Sequence, residues 1–165
     1  MIERYQYLEI EKIWNDQNKF DTWKLVEQKY LETLEENNIS PSGVSEVIGK
    51  TEVLKDEVYE REKVTNHDLA SFVDVLQSKV GDNSNWIHYG LTSSDVVDTA
   101  NSLLIKQSLS ITIDLLDELL IQIEAKAKQE MHTPVIGRTH GVFAETTFLG
   151  NIFGNWHQEI KRNKE

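Results

Sequence analysis

Residues 93–130 read SSDVVDTANSLLIKQSLSITIDLLDELLIQIEAKAKQE, and this stretch decides the fold. Leu109, Ile113, Leu116, Leu120, Ile123 and Ala127 recur at alternating intervals of four and three, the spacing of one helix face. Ile111, Leu115 and Leu119 form a second row beside it. A helix apolar over so wide an arc expects partners on more than one side. At ~1.5 Å per residue it would be about 55 Å long. That suits an elongated bundle of near-parallel helices better than a small globule.

Upstream, the same period predicts a short helix over 8–14 and a longer one capped by Asp16 and running to about Asn37. The inward stripe of the longer one is Phe20, Trp23, Val26/Glu27, Tyr30, Leu31 and Leu34. Ser40-Pro41 opens a short helix that Gly49 can end. A charged helix over 52–63 has one apolar edge, Val53, Leu54 and Val58. Thr65 or Asn66 caps a further helix over 67–80. Residues 86–91 form a short loop or extended piece carrying His88.

Downstream, residues 134–145 read PVIGRTHGVFAE, an interhelical loop. A last helix then starts near Thr146 and buries Leu149, Ile152, Phe153, Trp156 and Ile160. Gly150 and Gly154 fall on one of its faces; each costs roughly 1 kcal/mol in a helix relative to Ala, which points to a close helix crossing. Strand-like alternation is scarce and only Pro41 and Pro134 interrupt the chain. The expectation is an all-α protein: a small N-terminal helical domain over 1–92, then the start of a long central helical bundle over 93–165. The final helical pattern runs to Glu165 without Gly, Pro or cap, so the chain is expected to be the front piece of a longer protein.

Composition narrows the function. With 165 residues, 39% hydrophobic and 27% charged, the chain has the make-up of a globular domain. A formal net charge of −11 argues against duplex nucleic acid, which demands a basic face. An anionic substrate needs locally placed cations, and the arginines are Arg4, Arg61, Arg138 and Arg162. The absence of cysteine excludes disulfides and thiolate chemistry. No apolar run reaches the roughly 18 residues of a membrane span. The N-terminus is charged from its third residue, unlike a secretory signal, so a cytoplasmic setting is expected.

Chemistry concentrates in four places. Arg4-Tyr5 pairs a fork donor with an aromatic donor, suited to a phosphate or a base; alone, a surface ion pair explains it better. Thr65-Asn66-His67-Asp68 lies at a predicted helix start, where free N–H groups and the dipole favour an anion, though a plain capping box has the same composition. WIHYGLTSSDVVD, residues 86–98, brings Thr92, Ser93 and Ser94 to the start of the long helix. Hydroxyls plus free N–H groups there suit a carboxylate, and one of the three hydroxyl residues suffices as a cap. Gly137-Arg138-Thr139-His140-Gly141 holds a His between glycines, where it can move protons; a tight turn with an incidental His is the plain alternative. His132 and His157 carry no such context. No spaced His/Asp/Glu set and no glycine-rich nucleotide loop is present, so no metal and no dinucleotide are expected.

In order and spacing, MIERY, IW-DQ-KF--W-LVE at 13–27, HD at 67–68, WIHYGLTSSDVVDTA at 86–100, GRTHGVFAE at 137–145 and WHQEIKRN at 156–163 resemble the adenylosuccinate lyases of the fumarase/aspartase superfamily. The resemblance covers the chain end to end. It implies long helices that assemble four chains into a central bundle. It implies β-elimination of fumarate from adenylosuccinate, giving AMP, and from the succinyl-carboxamide ribotide of purine synthesis, without metal or cofactor. It implies His140 as the general acid that protonates the departing nitrogen, with Thr139 contacting substrate. His67 would support the acid near the substrate phosphate, with Asp68 orienting it. Thr92 and Ser93 would hold fumarate carboxylate oxygens, Arg4 and Tyr5 the nucleotide, and His88 would line the pocket.

The general base of that family is a serine on a mobile loop of signature GSSxMPxKxN, and its active site draws on three chains. The signature is absent from these 165 residues, so this chain is expected to hold the acid half of the site and to be inactive alone. A non-catalytic helical remnant or interaction protein is the alternative. The chain also departs locally from the family. Asn66 stands where Arg usually precedes the HD pair, Gln6 where Ser follows Arg-Tyr, and Thr146 where Pro follows Ala-Glu.

Overall fold

The computed structural model describes residues 3–165; Met1 and Ile2 of the MIERY stretch lie outside the described residues. The chain divides into two compact units, Met1–Ser108 and Leu109–Glu165.

The first unit opens with a 3-10 turn at Glu3–Tyr5. Helices α1 (Leu8–Trp14), α2 (Asp16–Glu36), α3 (Val44–Lys50), α4 (Lys55–Thr65) and α5 (Asp68–Val80) follow. A second 3-10 turn, Ser84–Trp86, leads to α6 (Ser93–Gln129), whose first turns belong to this unit. The expected stripe of α2 is its buried face: Phe20, Trp23, Glu27, Leu31 and Leu34. They meet Val44 and Ile48 of α3, Val58 of α4, Leu69, Phe72 and Leu76 of α5, and Val96 and Ala100 of α6. Phe20 stacks on Phe72 with centroids 6.1 Å apart, and Trp23 meets both rings edge-on at 5.3 and 5.6 Å.

Several helix starts differ from the sequence reading, each for a hydrogen-bonding reason. Asn15, not Asp16, caps α2: its Oδ1 accepts from the Asn18 N–H at 2.9 Å, and Asp16 takes the first turn. The helix expected at Ser40-Pro41 begins at Val44, after Gly43 turns the chain at φ 93. Thr65 and Asn66 do not cap α5. Helix α4 runs through Thr65, Asn66 is its left-handed C-cap, and His67 becomes the N-cap. Leu54, placed on the apolar edge of α4, is 45% exposed because it sits at the N-cap, off the buried face.

The second unit holds the rest of α6, a two-stranded sheet and α7 (Leu149–Lys164). The sheet corrects the expected loop at 134–145. Strands β1 (Pro134–Thr139) and β2 (Val142–Phe148) pair antiparallel, and β2 carries the chain past Thr146, so α7 starts at Leu149. The cause lies in composition: Val135, Ile136, Val142, Phe143, Thr146 and Thr147 are branched or aromatic and favour a pleated backbone. Thr139 pairs with Val142, leaving His140 and Gly141 as a two-residue turn. Both have positive φ, 54 and 75, as a type I′ hairpin requires. Farther along, Ile136 pairs with Thr146 but Arg138 with Phe143, so Gly137 faces two residues, Ala144 and Glu145, in a bulge. A Cβ on Gly137 would lie 2.9 Å from the Glu145 carbonyl oxygen.

The expected close crossing at Gly150 is present. A Cβ there would lie 2.7 Å from both the Ala127 carbonyl oxygen and Met131 Cα. Its N–H donates to the Glu130 carbonyl at 3.0 Å. Gly154 has open space instead. The burial expected for α7 is incomplete: Gly150 is buried, Leu149, Ile152, Phe153 and Ile160 are half-buried, and Trp156 is 50% exposed. A helix, a hairpin and a helix are too few layers to enclose such faces. The apolar rows of α6 are likewise open at Leu109, Ile113, Leu115 and Leu119.

Candidate active site

His67 is placed by the junction of α4 and α5. Asn66 reverses the chain at φ 52, a conformation that Asn tolerates better than most residues. The Thr65 hydroxyl donates to the His67 carbonyl at 3.1 Å and accepts from the His67 N–H at 3.2 Å. Nδ1 of His67 accepts from the Ala70 N–H at 3.4 Å. Asp68 Oδ1 lies 3.4 Å from the same Nδ1 and accepts from the Leu69 N–H at 2.7 Å. The carboxylate is thus beside the ring and tied to the helix start. Both side chains are about half exposed, at 51% and 52%.

His88 sits in the loop before α6 with φ 62. Glu27 of α2, 1% exposed, meets it twice. Glu27 Oε2 accepts the His88 N–H at 2.9 Å, and Oε1 lies 2.6 Å from Nδ1. Burial pushes the Glu27 carboxyl above its ordinary value, and the contacts with His88 pull it partly back. Helical spacing puts Glu27 on the inward stripe of α2 but assigns it no role. The signal was legible: a carboxylate at an inward register position needs a partner. Nothing in the sequence said that the partner is His88.

Thr92 and Ser93 begin α6, as expected. The Thr92 N–H donates to Asp95 Oδ2 at 2.8 Å, and the Asp95 N–H donates to the Thr92 carbonyl at 3.0 Å. One donor of this helix start is therefore already met by the chain's own carboxylate. Thr92 is exposed and Ser93 half-buried. Tyr30 of α2 donates to the Tyr89 carbonyl at 3.0 Å, a second brace on the segment joining His88 to Thr92. Arg4 and Tyr5 are exposed in the first 3-10 turn, with the guanidinium carbon 4.8 Å from the ring centroid.

Thr139 and His140 belong to the second unit. His140 is the first residue of the hairpin turn and Thr139 the last of β1, both exposed. A two-residue turn fixes the backbone of His140 while leaving its ring open to a ligand. Among the described residues, no group of three His, Asp or Glu side chains is placed to hold a metal. No helix there is long and apolar enough to cross a membrane.

The chain matches the family described as Lyase over residues 9–165. The adenylosuccinate lyase of Bacillus subtilis is 40% identical over 166 residues, covering 100% of this chain and 38% of that protein. The adenylosuccinate lyase of Thermotoga maritima is 40% identical over 164 residues, covering 99% and 38%. Among solved structures, the 3-carboxy-cis,cis-muconate lactonizing enzyme of Pseudomonas putida superposes with a TM-score of 0.88 at 17% identity, over 97% of this chain and 38% of that one. At that identity the likeness concerns fold alone. The chain spans 38% of the length of the curated relatives it matches.

Proposed function

We infer that this chain, which belongs to the lyase family, is the N-terminal part of an adenylosuccinate lyase. The observation that supports this best is the 40% identity to adenylosuccinate lyases along the whole chain. The reaction is β-elimination. A base outside these residues takes the proton alpha to a succinyl carboxylate, the electron pair forms the fumarate double bond, and the carbon–nitrogen bond breaks. The departing nitrogen then needs a proton. His140 supplies it, held at the hairpin turn beside Thr139, which contacts substrate. His67 supports the acid near the substrate phosphate, with Asp68 at its ring. Thr92 and Ser93 bind fumarate carboxylate oxygens at the start of α6. Arg4 and Tyr5 hold the nucleotide, and His88 lines the pocket.

The substrates on this reading are adenylosuccinate and the succinyl-carboxamide ribotide of purine synthesis. The open apolar rows of α6 support self-association through this helix; assembly of four copies and a cytoplasmic setting belong to the same reading. The test is fumarate release by the protein that carries this chain, with and without His140→Ala. A fall of at least about 100-fold, the scale of general-acid catalysis, is expected. Undiminished release would remove His140 from the acid role. No release by the unsubstituted protein would leave a non-catalytic helical protein.

A further inference from the structure

We propose that Glu27 is the positioning residue for His88, its buried carboxylate fixing backbone and ring together so that Nε2 is the ring nitrogen offered to substrate. This rests on the reading that His88 lines the substrate pocket. A carboxylate on a stripe with Trp23, Leu31 and Leu34 is expensive to bury without a partner. Glu27 spends both oxygens on one residue, 61 positions away in sequence. That residue has φ 62, which side-chain-bearing residues rarely adopt, and the Oε2 contact ties down its N–H in that conformation.

The second contact sets the chemistry. An ionised carboxylate only accepts, so Nδ1 of a neutral His88 carries the proton and Nε2 is a bare acceptor. If the ring gains a proton, Nε2–H becomes a donor toward an anion while Nδ1–H stays on Glu27. In either state Nδ1 is committed. The ring is 21% exposed, so it is largely enclosed yet still reachable. Second-layer carboxylates that orient a histidine in this way are a recurrent device of functional sites.

Glu27→Gln separates this role from plain packing. The new amide keeps the shape. Its oxygen must still accept the His88 N–H, which leaves the NH2 group opposite Nδ1. That group only donates, so Nδ1 must lose its proton and Nε2 gain one. Long-range proton–nitrogen spectra of the histidine-labelled protein should show neutral His88 as Nδ1–H, switching to Nε2–H in Glu27→Gln with the near-ultraviolet dichroism retained. An Nε2–H form in the unsubstituted protein overturns the proposal, even if no variant folds; so does a tautomer unmoved by Glu27→Gln.

Kinetics give the second arm. Glu27→Gln should raise KM for adenylosuccinate about tenfold, a typical second-layer effect, with kcat changed less than about twofold. In a His88→Ala background the same substitution should add almost nothing, since the two residues act as one unit. An equal penalty in both backgrounds makes Glu27 merely structural and overturns the proposal. Should the unsubstituted protein release no fumarate, the lyase reading falls while the tautomer measurement still decides the role of Glu27.

Discussion

Arg138 and Phe143 are register partners across the hairpin, and the guanidinium carbon stands 4.9 Å from the ring centroid. The pair lies one step from the turn that carries His140. An exposed cation–π contact is worth about 0.5–1 kcal/mol. Phe143→Ala should therefore raise amide exchange at Thr139 and Val142 about two- to fivefold. Unchanged exchange would show that the turn holds itself without this pair.

The turn and the acid are separable at one residue. His140 has φ 54, which Asn tolerates and a β-branched residue does not. His140→Asn should leave urea stability within about 0.5 kcal/mol while removing the proton donor. His140→Val should remove the donor and also cost roughly 1–2 kcal/mol of local stability. Equal stability of the two variants would mean that the left-handed turn is not retained in solution.

Gly150 and Gly154 are four apart on α7 but make opposite predictions. At Gly150 an added methyl meets backbone on the α6 side, 2.7 Å from Ala127 O and Met131 Cα, atoms that cannot swing aside. Gly150→Ala should lower stability by about 1–3 kcal/mol. At Gly154 nothing lies within 4 Å, so Gly154→Ala should gain up to about 1 kcal/mol from helix propensity. Urea midpoints of the two variants check the pair, and loss at Gly154 would place another surface against it.

Two carboxylates give stability opposite slopes with pH. The side-chain hydrogen bond from Lys79, with the Leu54 N–H, holds Glu57 below its ordinary 4.5. The unfolded chain then takes up a proton first, so the contribution of Glu57 is full above 4.5 and is lost as pH falls through the folded value. Glu57→Gln should flatten the acid limb of a stability–pH curve. Glu27 is raised by burial, so its contribution is full below 4.5 and is lost as pH rises through its folded value. The stability of the protein relative to Glu27→Gln should decline across that window. A rising difference would reverse the sign argued here.

The open rows of α6, with Leu115 and Leu119 each 44% exposed, should drive concentration-dependent association of this chain. Light scattering should show a larger mass for the unsubstituted chain than for the double substitution Leu115→Lys and Leu119→Lys. A monodisperse monomer in both cases would count against assembly through this helix.

Local spacing was enough to specify the helices whose apolar residues repeat at the helical period. The stripe of α2, the extent of α6 from Ser93 and the close approach at Gly150 follow from spacing and from glycine's missing side chain. The ordered motifs of the sequence also indicated the residues of the candidate site. Local spacing could not settle choices between competing hydrogen-bond partners. Asn15 rather than Asp16 caps α2, and His67 rather than Thr65 or Asn66 caps α5, because neighbouring polar side chains compete for the same N–H groups. The hairpin escapes the sequence pattern for a different reason: the register slips at Gly137, which breaks the alternation that marks a strand. The pairing of Glu27 with His88 arises from packing, across 61 positions of sequence. A carboxylate on a buried stripe announces that it needs a partner, but the partner's identity depends on which loop the packed helices bring to it.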